Sequence, residues 1–162
     1  MAPGMRRAFP LVVALALIGA DGVAAQSIDT EIDERVAEVQ SATDPSIRID
    51  RAAHLAEYIA SRGPLDVAHV EPPVVDDMAE LLEDNTDLVR FYAAASLGFI
   101  GPSARRAIPA LEKALERREG ERGIVAGQPN VFTSAVSSVQ AICAALTKID
   151  LSRVPSTCQT YR

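Results

Sequence analysis

Leu81-Leu82-Glu83-Asp84-Asn85-Thr86-Asp87-Leu88-Val89-Arg90 runs directly into Phe91-Tyr92-Ala93-Ala94-Ala95-Ser96-Leu97-Gly98-Phe99-Ile100-Gly101, and Ala107-Ile108-Pro109-Ala110-Leu111 follows shortly after. Val74, Met78, Leu81 and Leu82 form one apolar stripe at helical spacing. Val89, Ala93, Leu97 and Ile100 form a second at i, i+4, i+8 and i+11. Two amphipathic helices joined by a short polar turn make a hairpin. Ala93, Ala94, Ala95 and Gly98 keep the second helix thin, so that other helices can approach it closely. Gly101-Pro102 stops that helix, and Ser103 suits the N-cap of the next.

Read together, the Leu-Leu helix end, the Asp-containing turn, Val89-Arg90, the run Ala93 to Gly101 and Ile108-Pro109-Ala110-Leu111 resemble the HEAT-like repeat of the phycocyanobilin-lyase type. That pattern runs Val-Arg, Ala-Ala-x-Ala-Leu-Gly-x-Ile-Gly, Ile-Pro-x-Leu, and the one departure is Ser96 in place of a small Ala. The resemblance implies a stack of helical hairpins whose second helices line a partner-binding surface. It also implies that Asp84, Asp87 and Arg90 are turn and ladder positions, with acids at helix starts and Arg pairing across neighbouring repeats. Arg48 occupies the position of Arg90 one repeat earlier.

The same hairpin maps onto the upstream chain without a gap. Ile32, Val36 and Val39 fall on Val74, Met78 and Leu81; Ile47-Arg48 falls on Val89-Arg90; Ala52-Ala53-His54-Leu55 falls on Ala94 to Leu97. Downstream, Cys143 to Ile149 aligns with Ala94 to Ile100 at a longer interval, the extra seven residues lying in the loop from Gly120 to Pro129. The predicted fold is all-α: an α-solenoid of about three HEAT-like hairpins, at about 28–62, 73–100 and 104–150, within a repeat domain of 26–150 and followed by a tail of 151–162. About three repeats is the least that buries a continuous core. The third departs from the others in having Ser138-Val139 where they carry an apolar-Arg pair.

Residues 1–25 read as a secretory signal peptide. Arg6 and Arg7 form the positive start, Leu11 to Ala20 the apolar run, and Val23-Ala24-Ala25 a small-residue site cleaved after Ala25. Arg6-Arg7-Ala8-Phe9 also resembles a twin-arginine motif, which leaves the export route open between two systems. An apolar run of about ten residues is too short to span a bilayer, which takes roughly 20. The expected mature chain is therefore periplasmic or secreted and not inserted in a membrane. Cleavage removes two Arg and one Asp, making the formal charge one unit more negative than the −6 of the full chain. Such a balance excludes nucleic acid, whose phosphates require clustered Lys and Arg.

Two cysteines, Cys143 and Cys158, remain in the mature chain. In an oxidising compartment a disulfide between them is the expectation, stapling the tail to the last helix. They lack the Cys-x-x-Cys spacing of a redox-active pair.

For catalysis the sequence offers little. His54 and His69 are the two histidines. Neither His54 with Glu57 nor the group Asp66, His69 and Glu71 supplies ligands at zinc spacing, so no metal and no cofactor is expected. Gly120, Gly123 and Gly127 lack the Gly-Lys-Ser/Thr of a phosphate loop and read as a connector that could touch a partner. The serines carry no nucleophile elbow. The chain is read as a non-enzyme.

The aromatic residues are the better lead. The chain has four Phe, three Tyr and no Trp. Phe91 and Tyr92 directly follow Val89-Arg90, and Tyr92 and Phe99 share a stripe with Leu88 and Ala95, apart from the core stripe. Such a stripe can anchor a partner or fill space between hairpins. The functional expectation is a scaffold or adaptor that binds a protein or peptide through Phe91, Tyr92, Phe99, Tyr58 and Arg51. The alternatives are a lyase-type or other enzyme-accessory subunit, and a self-associating module such as a homodimer.

Overall fold

The computed structural model describes residues 27–121 and 138–161, and among them every regular element is helical. The signal segment, its cleavage site and most of the glycine-containing loop lie outside the described residues. The elements are α1 (Ile28–Ser41), α2 (Pro45–Ser61), a single turn α3 (Pro64–Val67), α4 (Pro72–Glu80), α5 (Asp87–Ile100), α6 (Ile108–Glu121) and α7 (Ser138–Ile149). Leu81–Glu83, Gly101–Ala107, Leu151–Arg153 and Ser156–Tyr161 are 3-10 turns.

Each start has a local cause. The Ser27 hydroxyl accepts from the Thr30 amide at 3.2 Å, and Asp29 and Glu31 sit in the first turn of α1, where negative charge meets the helix dipole favourably. The Asp44 carboxylate caps α2 by accepting from the Ser46 and Ile47 amides at 2.8 and 3.3 Å, with Pro45 already holding the φ a helix needs. Those two amides and the Ser46 hydroxyl hold the Asp44 carboxyl below the usual carboxylate range. At the other end of the central helix, Gly101 adopts φ 69° and ψ −135°, a conformation that L side chains resist. α5 therefore ends there.

Packing follows two series. α1 packs on α2, α4 on α5 and α6 on α7; in addition α2 packs on α5 and α5 on α7, while α1 packs on α4 and α4 on α6. α5 is thus the central helix, and Val89, Ala93, Ala94, Leu97 and Ile100 on it are all buried. One apolar cluster runs unbroken from Ile32 through Met78 and Leu111 to Cys158. The N-caps of α2 and α5, Asp44 and Thr86, fall on one another when the two sequence stretches are aligned.

Ser103 does not cap α6. It lies in the 3-10 turn, and its hydroxyl donates to the Ala68 carbonyl at 2.6 Å, tying that turn to the end of α3.

The approach of α5 to α7 depends on one missing side chain. A Cβ at Gly98 would stand 3.1 Å from the Ala145 Cα and 3.3 Å from its Cβ. The two helices meet backbone to backbone there. Beyond α7 the chain turns back, and Cys143 and Cys158 form a disulfide with a Cα–Cα distance of 5.3 Å, both residues buried. The tail is fixed to the last helix by this link.

Candidate functional site

Two sets of residues stand out, one polar and one aromatic. The polar set runs along the turns that precede α2 and α5 and reaches the first residue of α7. Arg48 donates through Nε and Nη2 to the Ala42 carbonyl at 2.9 and 2.6 Å, closing the end of α1. Arg90, its counterpart in the next helical pair, donates through Nη1 to the Asp84 carbonyl at 2.6 Å, and Asp84 aligns with Ala42 in the same register. The same contact occurs in both helical pairs.

Between the pairs the bonds differ. Arg48 Nη1 reaches the Asp84 carboxylate at 3.0 Å, while the other Asp84 oxygen accepts from the Thr86 amide at 2.7 Å. Asp84 therefore holds its own turn and the preceding pair together. Arg90 pairs with Asp87 within its own helix at 3.1 Å, and the Ser138 hydroxyl at the start of α7 donates to the same Asp87 carboxylate. Arg117 of α6 adds bonds to the Leu82 carbonyl at 3.1 Å and to Glu83 at 3.0 Å. Lys113 joins Glu83 at 2.9 Å, and these partners hold the Glu83 carboxyl below its ordinary range. This set binds turns to one another, with Arg90 buried at its centre and Glu83 and Lys113 exposed at its edge.

The aromatic set lies at the surface of α5, Phe99 exposed and Phe91 and Tyr92 half-buried against the core. Phe91 and Phe99 lie on α5 along its contact with α7 and wall a groove of about 250 Å³. Ala95 and Gly98 on one side and Ala141, Ala144 and Ala145 on the other form its floor. Phe99 is 43% exposed and Phe91 half-buried. Tyr92 does not line the groove; its ring stands edge-on to Phe91, with centroids 5.1 Å apart and planes at 76°. Leu88, one turn earlier, is also exposed.

The groove has one charged wall. Lys148 of α7 places its ammonium 4.7 Å from the centre of the Phe99 ring, a cation–π contact that favours a desolvated ring face. Among the described residues no carboxylate pairs with Lys148.

No family model, curated protein or solved structure matches the chain. The reading of the site therefore rests on its geometry and on the sequence.

The other expected contact residues lie elsewhere. Tyr58 of α2 is sandwiched between two guanidiniums, Arg35 of α1 at 4.2 Å and Arg62 at 4.3 Å from the ring centre, and its hydroxyl donates to Glu31. Burial and the Glu31 carboxylate raise the Tyr58 hydroxyl above the ordinary tyrosine range. Arg62 closes the cluster on Glu31 at 3.2 Å. Arg51 donates to the Glu38 carbonyl at 2.6 Å and to the Ser41 hydroxyl at 3.3 Å, at the end of α1. The structure thus brings Phe91 and Phe99 to one groove, sets Tyr92 against Phe91 outside it, and engages Tyr58 and Arg51 inside the first helical pair.

His54 and His69 are exposed on α2 and on the segment after α3. Among the described residues no group of three or more His, Cys, Asp or Glu is placed to hold a metal ion, and no helix is long and apolar enough to cross a membrane.

Lys148 was not singled out in the sequence. It falls on Phe99 when the third hairpin is aligned with the second, so the alignment already set the two side by side.

Proposed function

We propose that this chain is an exported, non-catalytic scaffold, an α-solenoid of three HEAT-like helical pairs that holds a protein or peptide partner on the surface of its second helices. The observation that carries the reading is the α5–α7 groove, in which Phe91 and Phe99 wall an apolar floor that stays open to solvent. Exposed aromatic residues beside a small-residue floor are the kind of anchor site where binding energy concentrates.

Three further observations support the parts of this reading. The serial packing of α2 on α5 on α7, with N-cap positions and arginine-to-carbonyl contacts in one register in the first two pairs, suits a repeat stack. The resemblance of Val89 to Leu111 to HEAT-like repeats implies that partners bind the second helices. Arg6-Arg7, the apolar run and the Ala25 site support export, and a buried disulfide suits an oxidising compartment.

The test is site-specific photo-crosslinking in the exporting cell. A photoreactive residue at Phe99 is expected to give a discrete protein adduct, while one at exposed Ala37 on α1 gives none. Phe99→Ala is expected to lower capture with the urea midpoint nearly unchanged, and Phe91→Ala with Phe99→Ala to lower it at least tenfold in a chain that circular dichroism shows is still folded, although loss of the half-buried Phe91 ring lowers its midpoint. Equal adducts from both positions, or undiminished capture by the double variant, would show that the groove is not the anchor. An adduct of the chain with itself would favour the self-associating alternative.

A further inference from the structure

We infer that the α5–α7 groove recognises an acidic-apolar peptide segment, one in which a large apolar side chain seats between Phe91 and Phe99 while an Asp or Glu close by in sequence pairs with Lys148. The inference rests on the scaffold reading and narrows it to a class of ligand.

Size sets the first element. A space of about 250 Å³ floored by Ala95, Gly98 and Ala145 admits one large apolar side chain between the two Phe rings. Gly98 matters here because the absence of a Cβ lets α7 come close enough for Ala145 to line the same groove.

Charge sets the second. Lys148 rests on the Phe99 ring through a cation–π contact and has no carboxylate partner among the described residues. The neighbouring acid in sequence, Asp150, is already engaged by the Ser152 hydroxyl at 2.6 Å and by Arg105 at 3.6 Å. An ammonium has three donors, so it can keep the ring contact and still bond a carboxylate. The net negative charge of the chain opposes an acidic ligand only over distance, and at physiological salt that field is screened beyond about 8 Å. At contact range Lys148 decides the sign.

Topology makes the acid a side chain rather than a chain terminus. Phe99 and Lys148 are both exposed at the end of the groove, so a bound segment can run on past them.

The experiment uses the mature chain with its disulfide intact to select from linear dodecapeptides displayed on phage by their C-termini. Selected sequences are then made with amidated ends and titrated by fluorescence anisotropy. The expected consensus has Phe, Leu or Ile with Asp or Glu within three residues. Affinity should fall at least tenfold in Lys148→Glu and in Phe99→Ala, and stay within about threefold in Lys148→Arg. Exchanging the peptide acid for Lys should restore part of the binding to Lys148→Glu. A consensus without an acid, or equal binding by wild type and Lys148→Glu, overturns the assignment. Peptides that bind but ignore both Lys148→Glu and Phe99→Ala overturn it while leaving the scaffold reading intact. Failure to enrich any peptide, together with only self-adducts at Phe99, overturns both. Lys148 and Phe99 are exposed, and circular dichroism with urea midpoints checks that each variant is folded.

Discussion

Arg48 on α2 and Asp84 in the turn before α5 meet at 3.0 Å, joining two helical pairs across a separation of 36 in sequence. Both side chains are largely buried, at 26% and 13% exposure, and Arg48 is held on its other edge by the Ala42 carbonyl. The planar guanidinium reaches the two acceptors from separate edges, Nε and Nη2 on the carbonyl and Nη1 on the carboxylate, a spread that the single compact ammonium of Lys does not match.

Arg48→Ala should therefore destabilise the chain by about 1–3 kcal/mol, because it leaves a half-buried carboxylate and a helix-end carbonyl without their donor. Arg48→Lys should recover only a minor part of this loss. In a double-mutant cycle with Asp84→Ala, urea unfolding should show a coupling of about 1 kcal/mol between the two positions. A coupling indistinguishable from zero would mean that Arg48 acts only on the end of α1.

Two neighbours on α5 should respond in opposite directions. Ser96 is fully buried, and its hydroxyl has no hydrogen-bond partner among the described residues, so Ser96→Ala removes an uncompensated polar atom and should stabilise by up to about 1 kcal/mol. Gly98→Val puts branches where even a Cβ would lie 3.1 Å from the Ala145 backbone, and overpacking of this kind costs about 1–3 kcal/mol. Thermal and urea unfolding of the two variants, measured side by side, should place them on either side of wild type.

These two positions also show how far the sequence could be read. Alternating stripes such as Val89, Ala93, Leu97 and Ile100, together with starts such as Asp44-Pro45, made the helices legible, because each is set by residues within one or two turns. Ser103 was misread as a cap for the opposite reason. Its partner, the Ala68 carbonyl, lies 35 residues away, and nothing local announces it. The 3-10 turns at Leu81–Glu83 and Gly101–Ala107 were likewise invisible, since their side chains suit an α-helix equally well. At the candidate site, the aromatic residues were visible on α5. The groove itself requires α7; the downstream alignment sets α7 against α5, but it does not show that Ala141, Ala144 and Ala145 leave open space between the two Phe rings.

A last prediction concerns pH. Asp33 on α1 faces Asp77, Asp29 and Glu71 from its own and neighbouring elements, and partial desolvation together with these carboxylates raises its carboxyl above the ordinary range. A carboxyl that binds its proton more tightly in the folded chain than in the unfolded one destabilises the fold when ionised. The penalty is complete at neutral pH, shrinks as pH falls through the raised value, and disappears below about 3.9, the value for an unfolded chain. Asp33→Asn should accordingly raise the urea midpoint at pH 7, with an advantage that fades towards pH 3.5. A constant difference across that range would point to a contact effect instead of charge.

The disulfide has a mechanical consequence. With Cys158 tied to Cys143 inside α7, residues 144–157 form a closed loop. Tension applied at the C-terminus would pass through the sulfurs into the middle of the helix that touches α5, and the loop could not release its contour length. A partner tugging on the end of this chain would load the body of the protein before it unravelled the tail.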